Sequence, residues 1–320
     1  MVPAKSRIGN LLGIAFPVIQ APMLWITSAQ LVAAVSEAGG LGVLGPNAGQ
    51  TTVTTDPAET AERFRQEIRK TRALTSKPFG VNFLLPMEGE EASFAYPESI
   101  FPVILEEKVD AVISVGKNIN NGLAYIRKFK EAGITVLHRE LSPTVENSRE
   151  VESAGVDALI ITGHEAGGIL SEHRISTPII VSQVTEIVRI PVIAAGGIYN
   201  RKTAGAAREF GADGVYAGTR FIATSECPAA AEAKAAIVKT RSEDLLELRT
   251  PGGMARVIPV PGLDLTRNID GSSSTKIAML DGDLENGLVC VSESAGGIKE
   301  IVPAADVVKE LGAAFSCSAN

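Results

Sequence analysis

Short apolar runs alternate with longer stretches of helical periodicity from the start of the chain to Phe221. Each run is only a few residues long and carries almost no charge, which is the pattern of a strand buried on both faces of a parallel sheet. Eight strands are therefore predicted, at residues 18–21, 41–45, 79–84, 111–115, 135–137, 158–162, 192–195 and 214–217.

Helices are predicted between these strands, because parallel neighbours need a crossover connection. The helical stretches are 29–37, 57–72, 97–107, 122–132, 143–153, 178–188 and 202–210. Asp56 and Pro57 are suited to the N-cap and first turn of the second of these helices. The stretch from Ile179 to Val188 is rich in β-branched residues, but its position between two strands favours a helix.

A recurring glycine marks four places where a helix gives way to a strand. Gly39, Gly133, Gly155 and Gly211 each follow a helical stretch and precede an apolar run. Glycine at such a position adopts the left-handed conformation that ends a helix. Repeated helix-to-strand joints and eight strands together predict an α/β fold, specifically a TIM (β/α)8 barrel.

The regular alternation stops after Phe221. A helix is predicted at 226–239, irregular structure at 250–262 and 272–275, regular structure again at 281–291, a closing helix at 303–311 and a loosely held tail at 313–320. We therefore predict that residues 1–226 and 278–320 form the barrel. Residues 227–277 would be a small inserted cap over the barrel mouth, after strand eight.

Composition narrows the class of protein. The 320 residues are 45% hydrophobic but only 5% aromatic, which suits a parallel α/β protein better than an antiparallel sandwich. The net charge is −7 and no basic block occurs, so nucleic acid and anionic membrane surfaces are not expected as partners.

Cysteine usage and the first residues indicate the compartment. Cys227, Cys290 and Cys317 are odd in number and widely spaced, which predicts neither a disulfide framework nor a zinc site. The apolar run near the start is short and is broken by Gly13 and Pro17, so neither a signal peptide nor a membrane span is expected. The cytoplasm is the expected location.

The ends of the last two predicted barrel strands carry residues suited to binding an anion. Gly196 and Gly197 follow one strand, and Gly218 and Thr219 follow the next. Their backbone N–H groups and the Thr219 hydroxyl can point at phosphate oxygens. Phosphate sites recur on the loops after strands seven and eight of such barrels, so a phosphate cradle is predicted here. Tight strand-to-helix turns are the alternative explanation of the same glycines.

The loop after the first strand is a candidate wall of the same site. Pro22 follows the small Ala21 and holds the chain extended at the carboxyl end of that strand. Met23 and Trp25 could then flank a flat ring, or could simply belong to the core. Asn82 lies in an otherwise apolar strand and needs a partner, which is either a neighbouring backbone group or a ligand.

Two further strands end in groups that can carry charge. His164 lies beside Glu165 directly after strand six, where an imidazole could move protons near neutral pH. A structural or solvated histidine is the alternative. His138 and Arg139 end strand five and could reach the same mouth of the barrel.

Taken together, the motifs of this chain resemble those of the nitronate monooxygenase family, formerly the 2-nitropropane dioxygenases, which also includes FMN-dependent enoyl-acyl-carrier-protein reductases. The matching segments span nearly the whole chain: QAPM at 20–23, EAGGLG at 37–42, KPFGVN at 77–82, EAGG at 165–168, IPVIAAGGI at 190–198, GTRF at 218–221 and ESAGG at 293–297.

The resemblance implies a TIM barrel that holds non-covalent FMN. It assigns the phosphate to Gly196, Gly197, Gly218 and Thr219. The remaining cofactor residues that it implies are Ala21, Pro22, Met23 and Asn82 along the flavin ring, Arg139 as a basic group near the ring, Thr162, and Gly167 and Gly168, whose backbone would approach the cofactor.

The chain departs from the family pattern at one position. The family has Glu-x-x-Gly-His, and Ile169 stands where that histidine belongs. His164, five residues earlier in the same loop, could substitute as the catalytic group if the loop folds inward.

The activity implied first is oxidation of alkyl nitronates with O2 to carbonyl compounds and nitrite. The alternatives are an FMN-dependent enoyl-acyl-carrier-protein reductase that uses NAD(P)H as reductant, and a flavin-binding protein without turnover. The GDLENG segment at 282–287 resembles the reductase branch. The expected partner is a small molecule, a nitronate or an enoyl thioester, and the chain is compatible with a homodimer.

Overall fold

The computed structural model describes residues 6–87, 91–260 and 271–316, and it confirms the predicted α/β barrel. The strands are Val18–Gln20 (β1), Gly42–Leu44 (β2), Phe79–Leu84 (β3), Ala111–Gly116 (β4), Thr135–Glu140 (β5), Ala158–Thr162 (β6), Gly168–Ile169 (β7), Val192–Ala195 (β8), Gly214–Ala217 (β9), Leu246–Thr250 (β10) and Gly253–Val257 (β11). Every predicted strand is present, with ends that differ by a few residues.

Eight of these strands form one parallel sheet in the order β1-β9-β8-β6-β5-β4-β3-β2. The sheet closes through a parallel bridge between Ile19 and Leu41. The buried Gln20 side chain supports this seam, because its Oε1 accepts a hydrogen bond of 3.0 Å from the N–H of Val43. On its other side β1 pairs with β9, which places the first loop next to the last barrel strand.

Most helices pack against the outward-facing side chains of the barrel strands, whereas the first helix contacts the barrel interior. The helices are Arg7–Leu12 (α1), Ala29–Glu37 (α2), Pro57–Leu74 (α3), Ala95–Glu106 (α4), Leu123–Glu131 (α5), Val145–Ser153 (α6), Thr177–Thr185 (α7), Arg201–Glu209 (α8), Thr219–Ile222 (α9), Ala231–Lys239 (α10), Gly271–Thr275 (α11) and Ala304–Gly312 (α12). The β-branched stretch after Pro178 is helical, as its place between two strands predicts. None of the described helices is both long and apolar enough to span a membrane.

Side chains of the barrel strands alternate between two cores. Val18 and Val215 face outward and pack under the helices, whereas Ile19 and Tyr216 face the barrel interior. The short helix α1 places Ile8 in the interior cluster. The alternation decides which polar residues of the strands can reach a ligand at the open, carboxyl end.

The glycines at the four predicted joints all have positive φ, between +76° and +97°. An L side chain is disfavoured there, which explains why the residue is glycine at each joint. The local pattern thus places the helix ends correctly.

The region after the barrel differs from the prediction in three respects. Residues 272–275 were expected to be irregular but belong to helix α11, which continues as a π-helix at Lys276–Leu280. Residues 250–257 were expected to be irregular but belong to an antiparallel hairpin, in which Thr250 pairs with Gly253 around a two-residue turn. Residues 281–291 were expected to be regular but contain no helix or strand, only an isolated bridge from Cys290 to Val257. Pro251 and Gly252 are the turn residues of the hairpin, and its two five-residue strands of mixed composition have only a weak signature in the sequence.

The hairpin adds to the loop after β6, because β11 pairs with β7. It therefore lies against the carboxyl side of the barrel. The division of the chain into a barrel and an insertion at 227–277 stays a prediction. Residues 261–270 of that insertion, Cys317 and the end of the predicted tail lie outside the described residues.

Candidate active site

The predicted phosphate cradle lies at the carboxyl ends of β8 and β9. Ala195 pairs with Tyr216, so the residues that follow these two strands lie side by side. Gly196 has φ +103° and Gly197 has φ +71°, conformations that a side chain would oppose. Within the described residues, no protein acceptor takes a hydrogen bond from the N–H of Gly196, Gly197, Gly218 or Thr219. Four backbone donors are thus available at one place.

Thr219 is fixed by a contact that was not predicted. Its Oγ1 accepts a hydrogen bond of 2.9 Å from the N–H of Ser292. A hydroxyl that accepts one bond still has its proton to donate. Ser292 therefore orients the hydroxyl and leaves it free to donate to an anion in the cradle.

The loop after β8 is supported from behind by Thr177. Its N–H and Oγ1 lie 2.8 and 2.9 Å from Oε2 of Glu165, and Oγ1 lies 3.2 Å from the carbonyl oxygens of Ala195 and Gly196. A Cβ on Gly196 would lie 2.7 Å from Thr177 Oγ1. The sequence gives one weak signal for this role, because Thr177 precedes Pro178 at a predicted helix start.

The first loop is next to the cradle. Ala21 donates its N–H to the carbonyl of Ala217 at 2.8 Å. A Cβ on Gly218 would lie 3.5 Å from Ala21 Cβ and 3.8 Å from Met23 Sδ. Ala21, the adjoining Pro22 and Met23 therefore lie beside the phosphate loop, as a cofactor that touches both would require.

Trp25 lies in the hydrophobic core, which is the second of the two locations that the sequence left open for it. It is 3% exposed and packs in the core under the helices. Its φ of +67° is unusual for a bulky residue. We therefore interpret Trp25 as core that fixes the path of the first loop.

Asn82, Arg139 and Thr162 belong to the inward-facing positions of the strands. Nδ2 of Asn82 donates to the carbonyl of Ile113 at 3.0 Å, so the backbone is its partner. Nε of Arg139 donates to Thr162 Oγ1 at 3.1 Å. Within the described residues, no carboxylate pairs with Arg139. A partly buried guanidinium without a counter-charge is a site for an anion.

Tyr216 also faces the barrel interior. Burial raises the pKa of its phenol to about 12, and the charge of Arg139 acts in the opposite direction. Tyr216 is thus a neutral hydroxyl close to the unpaired cation.

His164 is held by the hairpin. Its Nε2 lies 3.0 Å from Oε1 of Glu247, and its Nδ1 is buried and has no hydrogen-bond partner. Arg174 also contacts the Glu247 carboxylate, at 2.5 Å. Burial opposes ionisation of Glu247, but the cations around it outweigh burial and lower the pKa of its carboxyl. His164 has one nitrogen engaged and the other covered in this conformation.

The remaining predicted residues of this loop contact the protein itself. A Cβ on Gly167 would lie 2.7 Å from the backbone of Val291 and Ser292. Gly168 pairs with Arg256 of the hairpin, and no atom of the described residues lies within 4 Å of its Cβ position. Ile169, at the place of the family histidine, packs on the hairpin turn, since a Cβ on Gly252 would lie 3.3 Å from its Cδ1.

The structure therefore brings together the first loop, the two cradle loops and the inward-facing arginine. It does not bring His164 into the open mouth.

Comparison with known proteins agrees with this architecture. A relative from Rhodococcus jostii, "(3aS,4S,5R,7aS)-5-hydroxy-7a-methyl-1-oxo-octahydro-1H-indene-4-carboxyl-CoA dehydrogenase", is 31% identical over 93% of this chain and 74% of that protein. A nitronate monooxygenase from Paraburkholderia phytofirmans is 33% identical over 69% of this chain and 67% of that protein.

Solved structures match along almost the full chain. FabK from Thermotoga maritima superposes with a TM-score of 0.83 at 34% identity, covering 98% of this chain and 96% of that chain. The nitroalkane oxidase of Streptomyces ansochromogenes superposes with a TM-score of 0.78 at 28% identity, covering 97% and 98%.

The family profile described as nitronate monooxygenase matches residues 5–313, which is nearly the whole chain. With the closed parallel barrel and relatives at more than 30% identity, this match shows that the chain is an enzyme, an oxidoreductase that belongs to the nitronate monooxygenase family.

Proposed function

We propose that this protein is an FMN-dependent oxidoreductase that oxidises alkyl nitronates with O2 to carbonyl compounds and nitrite. The residues at the carboxyl end of the barrel fit the cofactor. A phosphate would suit four backbone N–H groups that have no acceptor in the part of the chain that the structure describes, and two glycines at positive φ. The Thr219 hydroxyl adds a fifth donor.

The flavin ring would lie beside the first loop. Ala21 and Met23 are adjacent to Gly218, so a group bound through its phosphate in the cradle extends directly onto them. When bound, FMN supplies the redox chemistry, accepting electrons from the substrate and giving them to O2. The protein binds and orients the reactants and sets the charge around them.

The single observation that carries the choice of substrate is Arg139 inside the barrel mouth, which bonds Thr162 but has no carboxylate partner among the described residues. An alkyl nitronate is an anion, and Arg139 can attract and orient it or hold negative charge that develops at the ring. A nitronate has already lost the proton that a base would remove from a neutral nitroalkane. Its oxidation therefore does not require the histidine that Ile169 replaces.

We keep His164 as the candidate acid–base residue for substrates that must exchange a proton. The carboxylate of Glu247, 3.0 Å from Nε2, orients its ring. The role requires the ring to leave Glu247 and turn towards the barrel mouth, because neither nitrogen is open in this conformation.

A second candidate is reduction of an enoyl thioester by NAD(P)H. Two observations favour it: the similarity to FabK over nearly the full length of both chains, and the Rhodococcus relative, whose name gives a CoA thioester as its substrate class. In this reaction His164 would supply the proton that accompanies hydride transfer to the enoyl group.

One set of measurements separates these activities. The purified protein is reconstituted with FMN, and absorbance is recorded anaerobically after addition of NADH or NADPH. Slow or absent bleaching, together with nitrite release from propyl-2-nitronate in air without a nicotinamide nucleotide, supports the nitronate reaction. Rapid bleaching, followed by reoxidation with crotonyl-CoA, overturns it in favour of the reductase. Bound FMN that responds to neither substrate indicates a flavin-binding protein without these activities, and failure to bind FMN contradicts the proposal entirely.

A further inference from the structure

Arg256 is a buried charged residue that none of the motifs includes. It lies on β11 of the hairpin, and its side chain is 2% exposed. A buried guanidinium is costly unless its donors are satisfied. Its contacts therefore indicate what the hairpin is holding.

One side of the guanidinium holds the loop after β6. Nη1 of Arg256 donates to the carbonyl of His164 at 2.9 Å and to that of Ala166 at 2.6 Å. This loop lies directly against the cradle: a Cβ on Gly196 would be 3.3 Å from the nitrogen of Ala166, and one on Gly197 would be 3.3 Å from Glu165 Cβ.

The other side reaches the turn that orients Thr219. Nη2 of Arg256 lies 3.0 Å from Oε1 of Glu293. The neighbouring Ser292 donates its N–H to Thr219 Oγ1, and the carbonyl of Arg256 accepts from the N–H of Val291 at 3.0 Å. The same side chain is thus connected to both loops of the cradle.

Glu247 completes the set of contacts. Its Oε1 lies 3.0 Å from Nη2 of Arg256 and 3.0 Å from Nε2 of His164. Only a planar fork of several N–H groups can bond two carbonyls and two carboxylates at once, which a lysine ammonium cannot reproduce.

We propose that Arg256 is a positioning residue for the phosphate cradle, holding its β8 side through Ala166 and its β9 side through Glu293 and Ser292. The inference rests on the proposed binding of the FMN phosphate in that cradle. It assigns to Arg256 the discrimination between FMN and riboflavin, which lacks the phosphate.

The test compares apo-protein variants by titration with FMN and with riboflavin, following quenching of flavin fluorescence. In Arg256→Ala the Kd for FMN should rise about tenfold, the effect of one charge-assisted hydrogen bond, while the Kd for riboflavin changes little. Millimolar guanidinium, far below denaturing concentrations, should restore FMN affinity by entering the space vacated between the two carboxylates.

Arg174→Ala is the matched control. Arg174 contacts the same Glu247 carboxylate from the exposed side, but among the described residues its guanidinium does not bond the carbonyls of His164 and Ala166 that Arg256 holds. In this control variant, the Kd for riboflavin divided by the Kd for FMN should remain that of the wild type. Arg256→Lys keeps the charge but not the planar fork, and it replaces the alanine variant if that variant does not fold. In both Arg256 variants, the Kd for riboflavin divided by the Kd for FMN should fall below that of the wild type.

A folded Arg256 variant that keeps the wild-type ratio, or that weakens both flavins equally, overturns the inference. The measurement involves no turnover. A wild type that binds FMN but oxidises no nitronate therefore counts against the proposed reaction alone.

Discussion

Replacing Gly196 by alanine is the sharpest test of the cradle. The residue has φ +103°, beyond the left-handed region that an L residue can occupy. The new methyl group would lie 2.7 Å from Thr177 Oγ1, and Thr177 cannot withdraw easily because Glu165 holds both its N–H and its hydroxyl. The loop after β8 must therefore move.

Gly133→Ala is the matched control, because Gly133 has φ +76° but no atom within 4 Å of the Cβ position. A left-handed alanine costs about 1–2 kcal/mol, and the stiffer unfolded chain offsets about 0.4–1 kcal/mol of this. The control should thus lose about 1 kcal/mol of unfolding free energy. Gly196→Ala adds overpacking of about 1–3 kcal/mol, giving a loss of about 2–4 kcal/mol.

Urea denaturation measures the unfolding free energy, and FMN titration measures the function of the loop. Displacing N–H donors from a phosphate should weaken FMN about 10- to 100-fold in Gly196→Ala and leave Gly133→Ala unchanged. Equal FMN affinity in the two variants would refute the assignment of the cradle, whatever their stabilities.

The other predictions concern charge and protons. Arg139→Met should lower kcat/KM for propyl-2-nitronate about 10- to 100-fold and Arg139→Lys less, measured by nitrite release; an unchanged value would remove the cation from the mechanism. His164→Ala should abolish oxidation of neutral nitroalkanes yet keep that of nitronates within about threefold, since only the former must lose a proton; equal loss of both would contradict the acid–base role. Burial raises the pKa of the Cys227 and Cys290 thiols to about 11, so the unfolded chain releases these protons first as pH rises. The contribution of the two buried thiols to stability is therefore complete below the unfolded pKa of about 8.5 and falls above it. In the double variant with serine at both cysteines, the urea midpoint should decline less between about pH 8.5 and 11 than in the wild type. An equal slope in the two proteins would refute this.

The sequence alone determined most of the barrel. Strand runs, the glycines at helix ends such as Gly133 and Gly155, and the glycine pair after β8 are local features. Their conformation follows from a few neighbouring residues, because buried apolar runs and positive φ angles restrict the chain wherever they occur. The pattern failed at the hairpin, where two short strands of mixed composition flank a Pro-Gly turn and resemble a loop.

Tertiary structure decided how the site is supported. The partner of His164 lies 83 residues away at Glu247, and Arg256 bonds Ala166 across 90 residues. Thr219 depends on Ser292 in the same way, across 73 residues. Such contacts join side chains that only the closed barrel and its hairpin bring within hydrogen-bonding distance, so no periodicity or spacing along the chain can reveal them.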